Sequence, residues 1–99
     1  MRRKIEYIVE IKTWFDRKNG NSYFSGRVTP TEAENPSTLE YPLVIPFQYG
    51  YGTHPEDVCL KAIQNFEGIH EINNDTYQRC YFIKNNALKR EVVAFGNGE

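Results

Sequence analysis

The dipeptide Asn19-Gly20 constrains this 99-residue chain more than any other feature, because it separates two alternating runs. Before it, Ile5, Tyr7, Val9, Ile11 and Phe15 occupy odd positions, while Glu6, Glu10 and Lys12 occupy even ones. Period-two alternation of β-branched and aromatic residues with charged ones marks a half-buried strand. Asn-Gly tolerates positive φ at both turn positions and so predicts a two-residue hairpin turn. That register pairs Phe15 with Phe24 and Ile11 with Val28, gathering the apolar positions on one face. The other face then carries Glu6, Ile8, Glu10, Lys12 and Trp14 with Tyr23, Ser25 and Arg27. Lys12 opposes Arg27, and directly opposed like charges destabilise a ribbon. Either Glu10 and solvent neutralise the pair, or an acidic group of a partner sits there beside Trp14 and Tyr23. Lys12, Trp14, Tyr23 and Arg27 are therefore candidate partner-binding residues on a face expected to point outward.

Further along, "TPTEAENPSTLE" has loop composition, and residues 30–40 are expected to be mobile, as is a tail at 96–99. "YPLVIPFQ" reads as an edge strand, because Pro42 and Pro46 lack amide hydrogens, with Leu43, Ile45 and Phe47 toward the core. "THPEDVCLKAIQNFEG" carries helix punctuation: Thr53 and Glu56 at capping-box spacing, Pro55 in the first turn, Gly68 as a stop. Its apolar stripe is Val58, Cys59, Ala62, Ile63 and Phe66. The remainder fits short strands near 69–72, 76–84 and 88–95. Val92-Val93 favours strand for the last, although Leu88, Val92 and Phe95 also recur at helical spacing. The expectation is a single α+β domain over residues 1–99. It has an antiparallel sheet of about five strands (hairpin, edge strand, helix, then hairpin or meander) and one helix on one face.

A chain this short buries roughly two-thirds of its unfolded surface, leaving little room for an enclosed active site. Its aromatic share is high, with seven Tyr, six Phe and one Trp, a composition common at recognition surfaces. The net charge of −1 conceals an uneven distribution. Residues 1–27 carry seven basic and three acidic groups, and residues 28–57 carry five acidic and no basic ones. Such polarity favours charged partners. No run approaches the ~18 apolar residues of a membrane span, so a cytosolic location without membrane partners is expected. Cys59 and Cys80 are too few for a disulfide framework and read as small buried residues. His54, Cys59, His70 and Cys80 do not match zinc spacing, and no cofactor is implied. Ser22, Ser25 and Ser37 lack a nucleophile context, so no catalytic residue is nominated and a non-enzyme is expected.

"PFQYGYGTHPE" sets a strand, a Gly-containing loop and a helix start in sequence. That arrangement presents free amides to phosphates, making Tyr49, Gly50, Tyr51, Gly52, Thr53 and His54 a candidate anion or nucleotide site. It lacks the lysine of a P-loop, and Glu56 with Asp57 puts negative charge where the anion would sit. The competing reading is a turn that needs glycine. An open sheet face with Trp14 and Tyr23 among Lys12 and Arg27 would also suit stacked single-stranded nucleic acid. Monomer and homodimer both stay open, although the prolines discourage edge pairing of Tyr41–Gln48.

The segments "EIKTWFDRKNGNSYFSGRV" and "PFQYGYGTHPEDVCLKAI" together resemble small proteins encoded by tailed bacteriophages and prophages. Trp14, Asp16, Asn19–Tyr23, Pro46, Phe47 and Tyr49–Gly52 carry the match, which covers about half the chain. His54-Pro55 departs from the family's more aromatic helix start. The resemblance brings no catalytic or ligand residues with it. It implies a protein that acts by binding, as an anti-CRISPR-like or other anti-defence inhibitor, or as a modulator of another host or phage complex.

Overall fold

The computed structural model describes residues 6–30, 43–67 and 77–98. In chain order the main elements are β1 (Tyr7–Asp16), β2 (Asn21–Pro30), β3 (Leu43–Tyr49), α1 (His54–Glu67), β4 (Cys80–Asn86) and α2 (Lys89–Gly96). The strands form one sheet in the order β3-β2-β1-β4. The chain is thus α+β with a single sheet, having four strands among the described residues where about five were expected. Residues 69–72 and the loop 31–42 lie outside the described residues.

The hairpin forms with the odd-numbered side of β1 inward from Tyr7 to Ile11, while Phe15, expected on the same side opposite Phe24, pairs with Ser22 near the turn and is 55% exposed. Tyr7, Val9, Ile11, Phe24 and Val28 join Ile45 of β3 and Cys59 and Ile63 of α1 in the core. Its register differs by two residues from the two-residue turn: Trp14 faces Tyr23, Lys12 faces Ser25, and Glu10 faces Arg27. The cause is Asp16. Its carboxylate accepts the amides of Lys18 (3.0 Å) and Asn19 (3.3 Å) and the Asn19 side chain (2.9 Å), organising a four-residue loop over Arg17–Gly20. Only Gly20 of this loop takes positive φ, at 71°. A shift of two preserves which side chains share a face, so the core survives while the Lys12–Arg27 opposition disappears.

β4 pairs with β1 in parallel, against the expectation of an antiparallel sheet. The chain leaves β3 through the 14-residue α1, and a helical crossover of this length returns it to the far edge in the same direction. α1 matches its predicted position, with Cys59 and Ile63 fully buried on its stripe. Glu56 does not close the capping box with Thr53; its carboxylate lies 3.1 Å from the Lys84 ammonium of β4, and that ammonium donates to Gly52 O at 2.8 Å.

Residues 89–96 are a helix and not the strand that Val92-Val93 suggested. α2 buries Val92 and Phe95 on the even-numbered face of the sheet, so among the described residues a second helix packs on the sheet where one was expected. The buried Ser25 hydroxyl donates to Val92 O at 2.5 Å. Residues 96–98 close the last turn, with Asn97 N–H on Val93 O and Gly98 N–H on Phe95 O.

Gly96 touches β3 so closely that a Cβ there would lie 2.6 Å from Phe47 N and 2.9 Å from Ser25 Cβ. Gly96→Ala is therefore expected to destabilise the fold by about 1–3 kcal/mol, read as a lower urea midpoint. The Asn19 side-chain bond, with the Asn19 and Lys18 amides, holds the Asp16 carboxyl below its ordinary pKa. A depressed carboxylate stabilises the fold above its unfolded pKa and loses that effect as pH falls through the lowered one. Asp16→Asn should accordingly show a smaller fall in Tm than the parent between neutral and strongly acidic pH.

Candidate functional site

The even-numbered face is not open. Lys12 and Arg27 both lie on the ring of Phe95 from α2, with Lys12 Nζ 4.8 Å and the Arg27 guanidinium 4.2 Å from its centre. Arg27 Nε also donates to Phe95 O at 3.3 Å. The two cations that looked like a signal for an acidic partner are therefore engaged within the chain, each contact contributing about 0.5–1 kcal/mol or more as water is excluded. At the hairpin end of β1, Lys89 Nζ stands 5.4 Å from the Trp14 ring.

Beyond α2 the same face carries a row of aromatic rings. Trp14 stacks on Tyr23 with centroids 5.6 Å apart, and Tyr23 stacks on Phe47 at 5.2 Å and 9°. Tyr49 meets Tyr23 edge-on at 6.0 Å, and Tyr51 meets Tyr49 at 6.3 Å. Phe47 belongs to this row, not to the core as its odd-numbered place beside Ile45 suggested. The pairing of β2 with β3 slips between Phe24 and Gly26, a bulge that sets Pro46 and Phe47 opposite Ser25. An extra residue reverses the alternation beyond it. Tyr49 and Tyr51, at 54% and 68% exposure, form the open end of the row. Tyr81 and Ile83 on β4 and Leu88 are also exposed, but no stacked row joins them.

Of the predicted partner-binding set, the structure keeps Trp14 and Tyr23 half-buried in the row and withdraws Lys12 and Arg27 to Phe95. Phe47 was missed, and no signal within β3 alone could have found it, because the bulge is a property of its pairing with β2.

The predicted anion-site residues do gather. Tyr49–His54 and Asp57 line one open cleft of about 530 Å³. Its glycines are explained by the turn itself. A Cβ at Gly50 would lie 2.6 Å from both the Phe24 ring and His54 Cδ2, and Gly52 adopts φ 63°. Gly50 N–H bonds to Ser22 O, and His54 N–H bonds to Tyr51 O. Within the cleft the formal charge is that of the Asp57 carboxylate, which disfavours an anion.

No group of three His, Cys, Asp or Glu that could hold a metal ion occurs among the described residues. Cys59 faces the core, where burial foremost, then the Glu56 charge and Cys80, pushes its thiol pKa up to about 12. Thiolate is the reactive species, so Cys59 should resist a disulfide reagent at pH 8 in the native protein. It should react only as the chain unfolds in denaturant.

No family model, curated protein or solved structure matches this chain significantly.

Proposed function

We propose that this chain is a small non-enzymatic binding protein that docks a partner protein on the row Trp14–Tyr23–Phe47–Tyr49–Tyr51. The observation that carries the reading is the exposure of Tyr49 and Tyr51 at the end of a contiguous row of ring contacts. Tyr and Trp are enriched at the energetic centres of protein interfaces, because they bury large areas with few rotamers to fix. Stacked neighbours hold these rings before a partner arrives, which lowers the ordering cost of association.

The stacking geometry also favours protein over nucleic acid. A base needs an open ring face, and Tyr23 is stacked on both Trp14 and Phe47, which leaves Tyr49 and Tyr51 as the exposed rings of the row. Lys12 and Arg27, the cations that would have met phosphates, lie on Phe95. The resemblance to phage-encoded proteins supplies the setting. The partner is a host defence complex, or another host or phage assembly, in the bacterial cytosol, and binding inhibits or modulates it. No described helix is long and apolar enough to cross a membrane.

Affinity capture from the bacterial host tests this. The parent chain is expected to retain a stoichiometric protein, and Tyr49→Ser/Tyr51→Ser to lose it by at least about tenfold in Kd, some 1.4 kcal/mol. The Tm should stay nearly constant, because both rings are exposed. Retention of the partner by the double variant, or a complex that requires single-stranded nucleic acid, would refute the reading.

A further inference from the structure

The cleft at the start of α1 has walls and charge suited to a cation. Tyr49 and Tyr51 stand at 67° to each other with centroids 6.3 Å apart, forming an aromatic corner. Asp57 lies in the same cleft, and its carboxylate makes no hydrogen bond or ion pair among the described residues. Two neighbouring cations leave it unneutralised. Lys84 is held by Gly52 O and Glu56, and Lys61 lines an adjoining cleft with Asp57 without forming an ion pair to it. The positive end of α1 would favour an anion, but Glu56 and Asp57 in the first turn oppose it. His54 is set edge-on against Phe24 at 6.0 Å and 84°, away from the role of an anion clamp.

We infer that this cleft receives the guanidinium of an arginine carried by the partner. Tyr49 and Tyr51 form its walls and Asp57 its counter-charge. The inference deepens the partner-protein reading and rests on it. A planar guanidinium stacks on an aromatic face while its fork of donors meets a carboxylate, a combination that a lysine ammonium does not reproduce. The cleft continues the aromatic row through the Tyr49–Tyr51 contact, so a partner lying along the row reaches it with one side chain.

Titration of the full chain with N-acetyl-arginine amide, followed by amide NMR shifts, tests the assignment. Its neutral isostere N-acetyl-citrulline amide and inorganic phosphate serve as parallel probes. Saturable shifts are expected over Gly50–Asp57 with the arginine probe, at least tenfold weaker with citrulline. Asp57→Asn should bring arginine down to the citrulline level. Should that variant misfold, the arginine-to-citrulline ratio in the parent chain decides alone. Equal binding of arginine and citrulline, tighter binding of phosphate at these amides, or no shift with any probe would each overturn the inference. Such a failure is distinguishable from failure of the partner reading, which is judged separately by capture with Tyr49→Ser/Tyr51→Ser.

Discussion

The bulge opposite Ser25 is the constraint on which the functional surface depends. In an unbroken ladder, Ile45 and Phe47 would share a face, and Phe47 would compete with Phe24 for the core beneath α1. The slip between Phe24 and Gly26 places Phe47 beside Tyr23 instead. One extra residue thus decides whether the sheet end carries a stacked row or a gap. It also leaves the Phe47 amide where Gly96 can approach it, so the packing of α2 and the aromatic row share one local irregularity. Pro46 suits this place, since it has no amide hydrogen to leave unpaired at an edge.

Much of this architecture was legible in the residues, and the parts that were not share a physical cause. The odd-numbered face of the hairpin and the stripe of α1 follow from local periodicity, and Tyr7, Val9, Ile11, Cys59 and Ile63 are buried as it requires, whereas Phe15 and Phe66, at the far ends of the two patterns, are exposed. The hairpin register did not follow from Asn19-Gly20, because Asp16 offered three hydrogen bonds to a longer loop and the side-chain faces are indifferent to a shift of two. The parallel direction of β4 is set by a crossover and not by anything within "CYFIKNN". Asn85-Asn86, a pair whose composition suits a turn, is the end of that strand, with Asn86 accepting the Thr13 hydroxyl.

The helix at Lys89–Gly96 shows tertiary context overriding a weak propensity. Val92 and Val93 prefer strand by a fraction of a kcal/mol. Burying Val92 and Phe95 against the sheet outweighs that preference, at roughly 1.5–3 kcal/mol for each large side chain removed from water. The sequence around the hairpin held a clue in reverse: two cations on an otherwise mixed face needed a partner, and the partner was an aromatic ring from the same chain. Of the six residues proposed around the Tyr-Gly repeat, all reach one cleft, yet its carboxylate reverses the sign of the ligand it suits.

The placement of Phe95 between Lys12 and Arg27 has a consequence for synthesis. α2 follows every strand in chain order, so a nascent chain presents the even-numbered side of its ribbon uncovered while the later strands emerge. A purely apolar side would then be adhesive toward other nascent chains. Beneath Phe95 and Val92 the residues awaiting cover are an ammonium, a guanidinium and a serine hydroxyl, which water solvates well. They become a helix seat only when an aromatic ring arrives, so the same side chains serve first as solubilising groups and afterwards as a dock.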